Sequence, residues 1–392
     1  MLEKAKSLVW PSARSGVPPF MVMDVMAAAA RLEARGRRII HMEVGQPAAG
    51  APSAALAAVR AALSRGPHGY TETLGIATLR GRIARAYSQW HDLDIDPDRI
   101  VVTTGSSAGF MLAFLAAFEA GDRVAVALPG YPPYRHILSA LGCEPVCIET
   151  GAASRWSITG DSLLAEHRAR PLKGVVIASP ANPTGTMMTA PALAELIRTA
   201  EDAGIVVISD EIYHGLDYAF PAESAARLSP DTIIVNSFSK YFCMTGWRIG
   251  WMVVPPTLLR AVERLQQNLA ISVPTLSQIA AQAAFDARAE LTAVRQSYEE
   301  NRRILVEGLP AAGLDNFLPA DGAFYLYADV SRFSSDSFTL ARRMLEEAGV
   351  AATPGVDFDP LHGGNFLRFC YAGTRSEMHE AVERIGAWLK GQ

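Results

Sequence analysis

Lysine is the scarce cation of this chain. Of its 36 Lys and Arg residues only five are lysines: Lys4, Lys6, Lys173, Lys240 and Lys390. Lys240 stands apart, in Asn236-Ser-Phe-Ser-Lys-Tyr-Phe-Cys-Met-Thr-Gly-Trp-Arg-Ile-Gly250, directly behind an apolar run. An amine can lose its proton and form a Schiff base with a carbonyl, which a guanidinium cannot do. A surface lysine on a loop is the plainer reading, yet the flanking residues are too apolar for a solvated face. Arg248, eight residues on, supplies a permanent charge for an anion.

Partners for that lysine stand at the ends of other apolar runs. Ile205-Val-Val-Ile-Ser-Asp-Glu-Ile-Tyr213 closes on Asp210, which either caps a helix or holds a protonated ring nitrogen. Ser179-Pro-Ala-Asn-Pro-Thr-Gly185 ends in turn formers, so Asn182 reads as a turn residue or a ligand contact. Thr104-Gly-Ser-Ser-Ala108 opens a helix. Ser106 and Ser107 there are either ordinary caps or, with the backbone N–H groups, a phosphate site. Arg368 is bracketed by Phe366, Phe369 and Tyr371. A guanidinium buried among aromatics needs a carboxylate, from a domain-bridging ion pair or from a substrate.

The elements that must position these groups alternate. Strands are expected at Ile100–Thr103, Arg123–Ala127, Glu144–Ile148, Gly174–Ser179, Ile205–Ser209, Thr232–Asn236 and Gly250–Val254, with amphipathic helices such as Ser107–Phe118 and Pro191–Ala203 between them. That pattern predicts a largely parallel sheet covered on both faces, with ligands at the carboxyl ends of its strands. The pattern is helical from Pro256 to about Leu309. A second α/β segment follows: strand Ala323–Ala328, helix Ser337–Ala348, strand Asn365–Tyr371 and helix Arg375–Lys390. Met21–Ala34 reads as a helix and Ile39–Glu43 as a short strand. The division expected is a large domain over 45–290 and a small one over 1–44 and 291–392.

The 392 residues are 49% hydrophobic with a net charge of −4. That excludes a disordered chain and gives no electrostatic footprint for nucleic acid. Four cysteines without metal-ligand spacing predict reduced thiols, no metal and a cytoplasmic protein. The longest apolar stretch, Phe110–Phe118, is far below the ~20 residues of a membrane span, and Met1–Pro19 shows no leader pattern.

Taken together the motifs resemble the class I/II pyridoxal-phosphate-dependent aminotransferases of fold type I, in the aspartate aminotransferase superfamily, over about Arg14 to Lys390. The series in order is Gly45-Gln-Pro47, Gly69-Tyr70 followed by Leu79-Arg80, Pro129-Gly-Tyr131, Asn182-Pro-Thr-Gly185, Asp210-Glu-Ile-Tyr213, Ser237-Phe-Ser-Lys240, Gly246-Trp-Arg248, Gly322-Ala-Phe-Tyr325 and Asn365-Phe-Leu-Arg368. The resemblance implies a mostly parallel seven-stranded sheet with a smaller α/β domain. It implies that Lys240 carries pyridoxal 5′-phosphate, that Asp210 pairs with the ring nitrogen, and that Asn182 and Tyr213 bond the ring's phenolic oxygen. Tyr131 would stack on the ring; Ser106, Ser107, Ser237 and Arg248 would hold the phosphate. Tyr70 would reach the phosphate of the other subunit, making a homodimer with shared sites. Arg368 would bind the substrate α-carboxylate, aided by Gly45 and Asn182.

The activity so implied is transfer of an amino group from an α-amino acid to a 2-oxo acid by a ping-pong route, with Lys240 moving the proton. Ser107–Phe118 holds no base and Ser15-Gly-Val-Pro-Pro-Phe20 is apolar, which favours neutral aliphatic or aromatic donors; Arg14, Arg37 and Arg135 are the remaining sources of a distal charge. At Asp357-Phe-Asp-Pro-Leu-His362 the chain departs from the glycine-rich turn usual in the family. A C–S β-lyase would use the same Lys240, Asp210 and Arg368. A non-catalytic cofactor-binding sensor would carry a DNA-binding region ahead of the matching sequence, which here begins near Arg14.

Overall fold

The computed structural model describes residues 10–391; Lys4, Lys6 and the first nine residues of the span 1–44 lie outside it, as does Gln392. Seven strands form one sheet, in the order Ile100–Thr103, Gly250–Val253, Ile233–Ser237, Val206–Asp210, Gly174–Ala178, Arg123–Leu128 and Glu144–Glu149. All run parallel except Gly250–Val253, which is antiparallel to both neighbours. The inner strands are largely apolar because both faces are covered, while the edge strand Glu144–Glu149 alternates and exposes Glu144, Cys147 and Glu149. Ile100, Val102, Val207, Ile234 and Trp251 pack on one face with Leu79, Ile83 and Leu193 from helices. Val101, Ile208, Val235 and Met252 pack on the other with Phe110 and Phe114 of the helix Gly105–Ala117. Each such side chain, fully buried, contributes about 1.5–3 kcal/mol.

Observed bounds differ from the sequence expectation by a residue or two. The one change of type is in Ser337–Ala348, which is α-helical to Arg343 and then widens into a π turn over Met344–Ala348. The wide turn buries the consecutive residues Met344 and Leu345 against two different clusters, and Gly349 at φ 68° ends it.

A second core gathers the C-terminal third. The strands Thr353–Pro354, Phe366–Cys370 and Tyr325–Asp329 form an antiparallel sheet, and Ile40–His41 pairs in parallel with Val350–Ala351. The helix Arg375–Leu389 starts on a reciprocal cap: Thr374 Oγ1 accepts from Glu377 N at 3.3 Å while Glu377 Oε2 accepts from Thr374 N at 2.8 Å. Across the boundary we propose at 290/291 runs the helix Arg288–Gly308, whose Leu291 packs in the sheet core while Tyr298 and Leu305 pack in the second.

Candidate active site

At the carboxyl end of the sheet a cavity of about 450 Å³ opens between the two cores. Each wall is the end of an element. The turn after Val206–Asp210 presents Asp210 and Tyr213, and the turn after Gly174–Ala178 presents Asn182. The first turn of Gly105–Ala117 presents Ser106 and Ser107. Because Gly250–Val253 runs against its neighbours, it starts where they finish, and the turn leading into it brings Arg248 to the same rim. Lys240 lies on the loop after Ile233–Ser237, while Arg368 rises from Phe366–Cys370 in the second core. The structure therefore brings together Lys240, Asp210, Tyr213, Ser106, Ser107, Tyr131, Asn182, Arg248, Arg368 and Gly45.

Asp210 is buried, and burial pushes its carboxyl up to about 7 against hydrogen bonds from the Tyr134 hydroxyl and from Ile212 N, the latter at 3.0 Å. The turn-capping role and the ligand-facing role coexist: Oδ1 serves the backbone and the residue still lines the cavity. Lys240 Nζ donates to Gly45 O at 2.6 Å. Burial, with the positive charges of Arg368 and Arg248 adding to it, brings its amine down to about 8. Gly45 has no alternative, since a Cβ there would lie 1.8 Å from the Tyr325 hydroxyl oxygen.

Arg368 is 1% exposed, its guanidinium sandwiched 4.3 Å from the Tyr325 ring and 4.6 Å from that of Phe358. It donates to Asn182 Oδ1 at 2.7 Å, to Thr353 Oγ1 at 3.2 Å and to Glu43 O. Nothing acidic pairs with it, so the domain-bridging ion pair is absent among the described residues. With Oδ1 of Asn182 occupied, its amide N–H groups remain as donors on a residue that lines the cavity. Phe358 explains the departure at Asp357–His362: a glycine there could not cover the guanidinium.

Lys240, Asp210, Arg248 and Arg368 thus share one cavity, none of them in an ion pair among the described residues. Thr104, the cap residue of Gly105–Ala117, makes no side-chain cap bond, so the first N–H groups stay available. A Cβ on Gly105 (φ 75°) would lie 2.3 Å from Arg248 Nη2, which is how closely the arginine is laid against that helix start. A ligand carrying two anionic groups and one cationic centre pairs with Arg248, Arg368 and Asp210 and leaves the Lys240 amine free to react.

Two of the expected residues stand elsewhere. Ser237 is buried, its hydroxyl 2.9 Å from Ser239 Oγ and 3.3 Å from Ile249 O; its partner Ser239 lines the cavity instead. Tyr70 is 83% exposed on the surface of this single chain. Three residues were missed. Tyr134 follows Tyr131 by three positions, a helical spacing that places both on one face. Ser239 sits two after Ser237. Tyr325, quoted in its motif without a role, bonds Tyr213 hydroxyl to hydroxyl at 2.7 Å.

The cavity's remaining wall is apolar: Phe20 and the helix Met21–Glu33 contribute Val22, Met23 and Met26. Arg135 donates to the carbonyls of Asp357 and Phe358, Arg37 donates to Glu346 O, and Arg14 is exposed; none of the three lines the cavity. Among the described residues no helix is long and apolar enough to cross a membrane, and no cluster could hold a metal ion.

The sequence pattern of the family "Aminotransferase class I and II" matches residues 37–385. A valine–pyruvate aminotransferase of Mycobacterium tuberculosis is 50% identical, with 97% of this chain and 98% of that protein covered. A (5-formylfuran-3-yl)methyl phosphate transaminase of Methanocaldococcus jannaschii is 34% identical over 94% of this chain and 96% of its own length. Among solved structures, an aminotransferase from Mycobacterium tuberculosis superposes with a TM-score of 0.95 at 48% identity, covering 98% of this chain and 100% of the other.

Proposed function

The chain belongs to the class I and II aminotransferases, and on that premise we propose that it transfers the amino group of a neutral α-amino acid, aliphatic or aromatic, to a 2-oxo acid, with pyridoxal 5′-phosphate held at Lys240. The observation that carries this reading is the set of four unpaired charges in one cavity. They fit that cofactor and an amino acid together. Asp210 meets a protonated ring nitrogen, and Arg248 with the N-terminus of Gly105–Ala117 meets a phosphate. Arg368 is left for an α-carboxylate.

Bound there, pyridoxal phosphate supplies an electron sink that acidifies the Cα–H of an attached amino acid. The chain supplies the rest. Arg368 grips the α-carboxylate through its planar fork and so fixes which bond at Cα faces Lys240. Lys240 Nζ, with its lowered proton affinity, takes the proton from Cα. Asp210 keeps a negative charge opposite the ring nitrogen, and the Tyr213–Tyr325 hydroxyl pair donates on the phenolic side. Phe20, Val22, Met23 and Met26 exclude water and present no cation to a distal carboxylate.

That apolar wall favours valine-like and aromatic donors, in keeping with the name of the Mycobacterium tuberculosis relative. The test is a donor screen with pyruvate as acceptor. Valine, leucine and phenylalanine should turn over with kcat/KM at least tenfold above aspartate, in parallel-line ping-pong kinetics. Preference for aspartate, or pyruvate and ammonia released from cysteine conjugates without an acceptor, would refute it. We further propose that Tyr70, exposed in one chain, completes the phosphate site of a second copy, so that the enzyme works as a homodimer.

A further inference from the structure

Directly behind Asp210, on the side away from the cavity, lies a second set of buried ionisable groups that the reaction does not use. Glu211 is 1% and His214 5% exposed. His214 Nε2 lies 3.0 Å from Ser179 O; a carbonyl only accepts, so Nε2 carries the ring's hydrogen. His214 Nδ1 is buried without a formed hydrogen bond and lies 3.5 Å from Glu211 Oε2. The two oxygens of Glu211 are treated differently. Oε1 faces Ala225 N at 2.8 Å, Ser224 Oγ at 3.1 Å and Ser209 Oγ at 3.4 Å, whereas Oε2 has only Ser224 Oγ, at 2.9 Å, besides the histidine. One oxygen is surrounded by donors as a carbonyl would be, and the other faces the unpaired ring nitrogen.

We propose that Glu211 is a neutral carboxylic acid whose Oε2–H faces Nδ1 of His214, and that this uncharged pair is a positioning device for Asp210. Two consequences follow from the geometry. The pair binds together the strand ends that carry Asn182 and Asp210, because His214 reaches Ser179 O while its own N–H bonds Glu211 O at 3.0 Å. It also spares Asp210 a second buried negative charge, which would hold a proton on Asp210 and weaken its grip on a ring nitrogen. Burial acts in the direction of the neutral assignment, raising the Glu211 carboxyl and bringing the His214 imidazole down to about 4; it raises Asp210 as well, so Asp210 depends on a protonated ring nitrogen opposite it to be ionised. The other ionisable groups around the pair are His91 and Tyr87 from Ala77–His91, with Asp217, Glu223 and Arg227. His91, its ring 5.3 Å from that of His214, is likewise held neutral by burial.

The inference rests on Asp210 being the partner of the ring nitrogen. The test is Glu211→Gln, whose amide reproduces both the carbonyl and the donor without a charge. The expected result is a holoenzyme with cofactor dissociation constant within twofold of wild type and an unchanged midpoint when its visible absorbance is titrated with pH. A shifted midpoint, or a variant that fails to load cofactor, would overturn the proposal. The infrared difference between the unloaded wild-type and variant chains provides a second readout: a protonated-carboxyl C=O band belonging to Glu211 should be present, and its absence also overturns it. A wild-type chain that shows no cofactor absorbance would instead refute the functional reading, leaving the infrared result to stand by itself.

Discussion

At the scale of residues, the site is a matter of which charges are left without partners. Lys240 with its amine near 8 is about a tenth uncharged at pH 7, against well under a thousandth for an ordinary lysine. The rate at which the cofactor-free chain captures pyridoxal phosphate should therefore rise with pH and level off above about 8. A climb continuing towards 10 in stopped-flow absorbance would contradict this. Lys240→Ala should lose multiple-turnover activity altogether. Gly45 offers a sharper probe, because a Cβ there meets a single side chain, Tyr325, with the hydroxyl oxygen at 1.8 Å and Cζ at 2.9 Å. Gly45→Ala should raise KM for the amino donor at least tenfold by pushing the Tyr325 hydroxyl away, and Gly45→Ala/Tyr325→Phe should recover part of the loss. Failure of the second change to help would show that the backbone, and not the hydroxyl, is displaced. Most charged members of this set were legible in the sequence because charge at the end of an apolar strand is conspicuous. Tyr134 and Tyr325 were not, since an aromatic residue in an apolar stretch reads as core until its hydroxyl's partner is known. Ser237 and Ser239 could not be separated either: which of two serines faces the cavity depends on the loop's path after the strand.

Elements were more legible than residues where burial is two-sided. The inner strands of the large sheet are apolar on both faces, so their type shows directly in the chain, whereas of the short pair only Ile40–His41 is read, within Ile39–Glu43, and its partner Val350–Ala351 has no pattern of its own. The helix Met21–Glu33 shows what such long-range pairing achieves. Asp357 Oδ1 accepts from Met21 N at 3.3 Å, placing a carboxylate from the far end of the sequence at this helix's N-terminus. At its other end His41 bridges Glu33 and Glu43, with contacts of 3.1 and 2.9 Å. The carboxylate contributes about 1 kcal/mol. Asp357→Asn should thus raise KM for valine by roughly fivefold with kcat nearly unchanged, because the change loosens a wall and leaves the groups at Cα in place. An equal fall in kcat would show that the helix acts on the chemistry itself. A base placed on this wall should change what the wall accepts: Met23→Arg should raise kcat/KM for aspartate and lower it for leucine, read in the same donor screen.

For the whole molecule, the question is whether one chain suffices. Chains carrying Lys240→Ala and chains carrying Tyr70→Phe should each be defective, the second mainly in cofactor affinity. Unfolded together and refolded as a mixture, they should regain activity through hybrid dimers in which one site has both native residues. No gain on mixing would place Tyr70 outside any shared site.

The pairing of Ile40–His41 with Val350–Ala351 also orders events during synthesis. The seven strands of the large sheet are all translated by Val253, so that sheet can assemble while the C-terminal third is still within or behind the ribosome. Arg368 and the carbonyl of Glu43 to which it donates meet only after nearly the whole chain has emerged. Until then the early segment around Ile40 has no strand to join, and its apolar side chains wait exposed for the last part of the message. If Arg368 receives the substrate's carboxylate as proposed, that pocket is the last part of this enzyme to exist, and a chain cut short after the sheet lacks it.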